Sequence, residues 1–385
     1  MKDFISSRAR GIPPSGIRKF FDLLLTIEDV ITLGVGEPDF NTPWTVAEAG
    51  IYAIEQGHTS YTSNKGLLPL RQQISRDFQQ RYGVRYDPEN EIIITSGVSE
   101  GLDIALRAVI DPGDEVLVAQ PCYVAYAPCA DLAGGISVPV PCDAGHEFRL
   151  LPDTVMERIT RKSKILVINF PNNPTGAVMQ HAYLKAVADI LIDHDLLLIC
   201  DEVYAELTYG KPHTAAAAIE GLRERTITLN GFSKAYAMTG WRVGYLCAPP
   251  PLCEAALKIH QYVMLCAPIM GQMAAMEALK NGEEDKKRMV REYQLRRNLF
   301  VEGLNRIGLP CHMPEGAFYA FPSVEQTGLD DITFAERLLA EKHVAVVPGS
   351  VFGEAGTGHL RCAYAVSREH LIEALKRIED FISSL

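Results

Sequence analysis

Residues 164–176 read KILVINFPNNPTG. The first seven form a nearly continuous apolar run, and the last six carry the Pro, Asn and Gly of a turn. The stretch HAYLKAVADILIDH (181–194) follows with helical spacing. A strand that is apolar throughout calls for cover on both faces, which is the situation of a parallel sheet dressed with helices.

The same alternation extends outward in both directions. EIIIT (91–95) precedes the helix-like SEGLDIALRAVI, and EVLVA (115–119), ISVPV (136–140), LLLIC (196–200), TITL (226–229) and RVGYLCA (242–248) read as further strands. Helices between them predict right-handed crossovers and an α/β fold with a mostly parallel central sheet. The character changes at NGEEDKKRMVREYQLRRN (281–298), a long charged helix pattern read as a solvated face. Short strands GAFYAF (316–321), VAVVPG (344–349) and HLRCAYA (359–365) and a terminal helix then predict a smaller α+β domain. The expected division is an N-terminal segment 1–44 packing with the small domain, a large domain 45–285 and a small domain 286–385.

Bulk properties bound the function. The chain has 385 residues, 47% hydrophobic content and a formal net charge of −11. That length holds a core large enough for a deep site, and the acidic balance argues against nucleic acid as a partner. No run of eighteen apolar residues predicts a membrane span, and the start MKDFISSRARGIPPSG lacks the apolar stretch of a secretory signal. The nine cysteines form no C-x-x-C pair and the ten histidines show no ligand spacing. Reduced cysteines, a cytoplasmic protein and no metal site are expected. His58 and the other histidines are read as ordinary, and Met238 and Trp241 as packing. Tyr319 follows strand alternation and receives no role.

In open parallel sheets, ligands bind beyond the carboxyl ends of the strands. Four strand ends here carry polar residues: Pro171–Gly176, Asp201–Tyr204, Ser233–Lys234 and Ser96–Ser99. Each alone is compatible with turn chemistry, and together they mark one site. Gly97, Val98 and Ser99 open a helix, whose free amides either hold a phosphate or form a plain cap. Arg242 either grips the same phosphate or makes a surface ion pair. Asp201 follows five apolar residues, so it is expected to be buried and to need a cation. Across ~4 Å, at an effective dielectric of ~20, such a pair attracts by roughly 4 kcal/mol. A protonated pyridine nitrogen would serve. Tyr204 lies within reach of the same ring, Asn173 could donate to its phenolate oxygen, and Lys234 could form an imine with its aldehyde.

Together these residues resemble the fold-type I pyridoxal-phosphate (PLP) enzymes of the class I/II aminotransferase family. SKAYAMTGWRVG (233–244) is similar to the family's lysine signature, NNPTG and DEVY to its companion motifs, and LGVGEPDF (33–40), YTSNKGLLPLR (61–71) and HLRCAYA also fit. The likeness runs from about residue 15 to about residue 380. It implies that Lys234 is the covalent anchor and proton-transfer base and that Asp201 pairs with the pyridine N–H. Asn173 and Tyr204 would bond the 3-oxygen, and Tyr123 would stack on the ring. Gly97, Val98, Ser99, Ser233 and Arg242 would hold the phosphate. Arg361, with Gly36, would clamp the substrate carboxylate. Tyr61 would reach the phosphate of a neighbouring subunit, which implies a homodimer.

Two departures bear on substrate. Many relatives have serine where this chain has Gly231, which removes one phosphate contact. Aspartate-specific relatives often carry lysine where this chain has Ser99. The segment IHQYVMLCAPIMGQ (259–272), expected to line the side-chain pocket, has no Arg or Lys. Ile12, Ile17 and Phe20 are expected to form an apolar lid. The resulting expectation is broad specificity favouring aromatic or other apolar amino donors, with 2-oxoglutarate as an acceptor. The alternatives are aspartate or alanine transamination, or another reaction on the same fold such as C–S lysis or decarboxylating synthesis. A nucleotide-binding α/β protein is disfavoured because no G-x-G-x-x-G follows a strand. The acidic charge disfavours a regulator that only binds PLP.

Overall fold

The computed structural model describes residues 4–14, 16 and 29–385. Ile17 and Phe20 of the expected lid lie outside the described residues. Twelve strands run through the described chain: β1 (Ile31–Thr32), β2 (Ile92–Thr95), β3 (Glu115–Gln120), β4 (Ile136–Pro141), β5 (Ser163–Asn169) and β6 (Leu197–Asp201), then β7 (Thr226–Gly231), β8 (Gly244–Cys247), β9 (Tyr319–Ala320), β10 (Val344–Ala345), β11 (Val347–Pro348) and β12 (Leu360–Ala363).

Seven of them form the central sheet in the order β2-β8-β7-β6-β5-β3-β4. The pairs β7–β6, β6–β5, β5–β3 and β3–β4 are parallel, as the apolar runs predict. β8 is antiparallel to both β7 and β2. A fully buried strand reads as apolar in either direction, so the sequence of β8 did not reveal its reversal. The expected strand RVGYLCA also starts later than its apolar residues suggest. Arg242 lies outside it in the left-handed region, with φ 55.

Alternate residues of each central strand face different cores. Leu117, Leu166, Ile168 and Leu198 pack on one side of the sheet. Val116, Ile165, Val167, Ile199 and Ile227 pack on the other. Each such side chain contributes about 1.5–3 kcal/mol on full burial, so both faces must be roofed by helices. The helices His181–Asp193 and Gly97–Val109 are among those that do so.

A further core gathers Phe300, Phe318, Phe334, Tyr364 and Phe381 with Ile31 and Leu33. It is served by the antiparallel sheet β11-β12-β9 and the parallel pair β1–β10. Two expected strands are shorter here than their sequences suggest. Ala317 is left-handed at φ 55, so GAFYAF cannot extend before it, and only Tyr319–Ala320 is strand. VAVVPG divides between two sheets, with β10 pairing β1 and β11 pairing β12.

The charged stretch 281–298 corresponds to the helix Glu283–Arg306. It is not a plain solvated face. Lys286, Met289, Tyr293, Arg296 and Phe300 are buried at three- and four-residue spacing. Lys286, 3% exposed, pairs with Glu206 at 2.6 Å, and Arg296, 6% exposed, pairs with Asp39 at 2.8 Å. The stripe is hidden in sequence because two of its buried members are cations satisfied from other elements. Among the described residues, no helix is long and apolar enough to cross a membrane.

Candidate active site

β2, β5, β6 and β7 point the same way, so their carboxyl ends share one edge of the sheet. Their ends, with Val35–Glu37 and Arg361, enclose a cavity of about 410 Å³. The polar ends of four strands therefore do meet. Lys234, Asp201, Tyr204, Tyr123, Asn173, Ser233, Val98, Ser99, Arg242, Gly36 and Arg361 all line the cavity.

The register sets Asn169 of β5 beside Asp201 of β6. Asn169 donates Nδ2–H to the Asp201 carbonyl at 2.9 Å and accepts the Asn173 N–H at 3.0 Å. Asn172 accepts the Thr175 N–H and hydroxyl at 3.0 and 2.9 Å. These bonds lock the NNPTG turn and leave the Asn173 side chain to face the cavity.

Asp201 is buried. Its Oδ2 accepts the Tyr126 hydroxyl at 2.7 Å and its Oδ1 accepts the Val203 N–H at 3.1 Å. Burial pushes its carboxyl up to about 6, against the lowering effect of those bonds. Lys234 Nζ donates to the Gly36 carbonyl at 2.6 Å. Burial lowers this ammonium to about 8, against the raising effect of Glu37, while Arg361 adds to the lowering. An amine held near 8 is a ready nucleophile at physiological pH.

Gly97 sits at φ +74, and a Cβ there would collide with the Arg242 guanidinium. Glycine thus lets the arginine lie directly against the start of the helix Gly97–Val109. By position, the amides of Gly97, Val98 and Ser99 have no carbonyl partner within the helix. Cation and free amides together make an anion cradle.

Arg361 of β12 is 3% exposed. It donates to the Gly34 carbonyl at 2.5 Å and to Asn173 Oδ1 at 3.1 Å, and lies 4.8 and 4.9 Å from the Tyr319 and Phe352 rings. Its Nε is buried without a partner among the described residues. A buried N–H of this kind suits a carboxylate ligand.

Some expectations need correcting. Tyr319, given no role, lines the cavity; its hydroxyl lies 2.7 Å from that of Tyr204, and a Cβ on Gly36 would fall 2.6 Å from it. Strand alternation gave its direction without showing that the inward side was a cavity wall. No residue of 259–272 lines the cavity. That segment ends the helix Pro250–Val263, where Tyr262 is 87% exposed. Tyr61, expected to serve a neighbouring subunit, is 84% exposed and lies outside the cavity of its own chain. Gly97 supports the cavity without lining it. Tyr126, Asn169, Glu37 and Thr239 line the site and were missed. Tyr126 was the most accessible of these, since it lies three residues past Tyr123 and its ring meets that of Tyr123 edge-on at 5.8 Å. Trp241 packs as expected, with its indole N–H donating to Thr42 at 2.9 Å. Among the described residues, no three His, Cys, Asp or Glu side chains group as a metal site requires.

A lysine, a buried carboxylate, an anion cradle and a buried arginine in one cavity could together hold an anionic ligand beside a nucleophile and a carboxylate. The chain matches the family model for aminotransferase class I and II over residues 28–378. It is 52% identical over 382 residues to the protein YugH of Bacillus subtilis (strain 168), covering 99% of both chains. It is 43% identical over 381 residues to the aromatic-amino-acid aminotransferase 2 of Thermococcus litoralis, covering 98% of each. Its fold superposes on the aspartate aminotransferase of Thermus thermophilus with maleate at a TM-score of 0.94 and 37% identity, covering 98% of this chain and 100% of that one. The chain belongs to the class I and II aminotransferases, a family of PLP-dependent transferases.

Proposed function

We propose that this chain holds PLP in the cavity and moves an amino group between an L-amino acid, preferentially aromatic or apolar, and a 2-oxo acid such as 2-oxoglutarate. The observation that carries the reading is the convergence of Lys234, Asp201 and Arg361 on one cavity. The donor set fits the cofactor. Arg242 and the amides of Gly97, Val98 and Ser99 suit its phosphate, with Ser233 beside them. The Tyr123 ring suits its face, Asn173 and Tyr204 its 3-oxygen, and Asp201 its ring nitrogen.

When bound, PLP supplies an electron sink for the charge left at the substrate Cα. Asp201 would hold the ring N–H, and Tyr126 and Val203 fix the carboxylate for that task. Arg361 orients the substrate carboxylate, an effect that can contribute several kcal/mol. Lys234 would hold the cofactor and is placed to take the proton from Cα.

The substrate preference rests on the lining. Lys234, Arg242 and Arg361 are the Lys and Arg residues of the cavity wall among the described residues, and each already has a task. Tyr123, Tyr126, Tyr204 and Tyr319 supply aromatic surface. Such a wall gains about 25 cal/mol per Å² of apolar area buried, and it leaves a distal carboxylate unpaired. The test is kcat/KM for phenylalanine, tyrosine, alanine and aspartate under one set of conditions. Aromatic donors are expected to lead. An aspartate advantage of about tenfold, about 1.4 kcal/mol in the transition state, would refute the preference.

The proposal includes a homodimer and the three-part division 1–44, 45–285 and 286–385. The exposed Trp44, Tyr52, Tyr61 and Tyr262 are apolar surface suited to a second copy, and the β1–β10 pairing ties the N-terminal segment to the later part of the chain. The nine cysteines are free, in keeping with a cytoplasmic location.

A further inference from the structure

Beneath the anion cradle lies a buried pair that the proposed chemistry does not use. Glu100 stands in the first turn of the helix Gly97–Val109. One of its oxygens, Oε2, accepts the Ser96 N–H at 2.5 Å. The other, Oε1, lies 2.5 Å from His260 Nδ1. His260 is fully buried near the end of the helix Pro250–Val263, which packs on the first helix. Its Nε2 has no partner among the described residues, and Nδ1, facing a carboxylate oxygen, is the donor of the pair.

A carboxylate in the first turn of a helix has a natural alternative. Capping glutamates reach back to the N-cap N–H, as Oε2 does here, and an Oε1 left free could also accept from the unsatisfied amides of the first turn. At this helix those amides belong to Gly97, Val98 and Ser99, the ones a phosphate needs. His260 removes the alternative by holding Oε1. With that oxygen fixed, Oε2 is directed at the Ser96 amide, which lies just before the cradle.

We propose that Glu100 and His260 are positioning residues for the cofactor phosphate: the pair pins Ser96 and keeps the three following amides open. The inference rests on the PLP reading above and concerns only its phosphate end.

The test compares the affinity of cofactor-free protein for PLP with its affinity for pyridoxal, which lacks the phosphate. In Glu100→Ala, the loss of the buried acceptor is expected to weaken PLP about tenfold while pyridoxal changes little. Glu100→Gln is expected to rescue. Its Oε1 still accepts from Ser96, and its amide N–H donates to His260 Nδ1 after a tautomer change. His260→Ala is expected to show the same selective loss at about threefold, and it carries the comparison if Glu100→Ala does not fold. A general structural defect would weaken both ligands equally. Equal losses, or none, in both alanine variants overturn the proposal. Failure of the unaltered protein to bind PLP would instead overturn the cofactor reading.

Discussion

The Tyr126 hydroxyl, on the helix after β3, donates to Asp201 Oδ2 at 2.7 Å, at the end of β6, two strands away in the sheet. The bond favours the ionised carboxylate against a burial that opposes it. Tyr126→Phe is therefore expected to raise the Asp201 pKa by roughly one to two units. The ionised form is needed for turnover and is lost as pH falls through that pKa. The acid limb of the kcat–pH profile should move upward, with bound PLP unchanged. An unshifted acid limb would remove Tyr126 from this role.

Asp201 also makes a stability prediction for the cofactor-free protein. Its folded pKa of about 6 lies above its ordinary 3.8. The folded state therefore holds the proton more tightly, and the stability gained from it is full below about pH 3.8 and lost as pH rises through about 6. Asp201→Asn carries no such loss. The stability of the variant relative to the parent should grow by about 2 kcal/mol between pH 4 and 6. Urea unfolding across that window reads the difference directly.

Lys234 is lowered to about 8, so its neutral form becomes abundant as pH rises through that value. The rate of PLP capture by the cofactor-free protein should increase with pH and level off above about 8. Borohydride reduction followed by peptide mapping should place the cofactor on the peptide holding Lys234. Labelling of any other lysine would displace the assignment.

Arg361→Lys keeps the charge and removes the planar fork held by Gly34 and Asn173. The variant should lose about a hundredfold in kcat/KM for every amino donor, within the range for truncating one partner of a buried charge pair. PLP binding should persist. A loss confined to one donor would point to a side-chain contact instead.

Much of this architecture is legible in the chain itself. ILVI and LLIC are apolar at every position because both faces of their sheet are covered, and the polar residues that follow them do converge. The reversal of β8 was not legible, since burial on both faces gives one pattern for either direction. Ala317 hides a left-handed turn that no residue type advertises. Lys286 and Arg296 read as solvent-facing because their partners, Glu206 and Asp39, are far away in sequence. Tyr126 and Tyr319 escaped notice because a tyrosine that lines a cavity and one that fills a core look alike in sequence.

The contact between Arg361 and the Gly34 carbonyl joins positions 327 residues apart. Lys234 reaches Gly36 across 198. Closing such loops costs little more than closing shorter ones, about 0.6 kcal/mol per doubling of length. The search for these contacts is what slows with sequence separation. The central sheet lies wholly before residue 248 and can therefore form before the carboxylate clamp exists. During synthesis, competence to bind substrate arises only once residue 361 has emerged and met the opposite end of the chain, so a nascent polypeptide stays catalytically silent until its last strand is laid down.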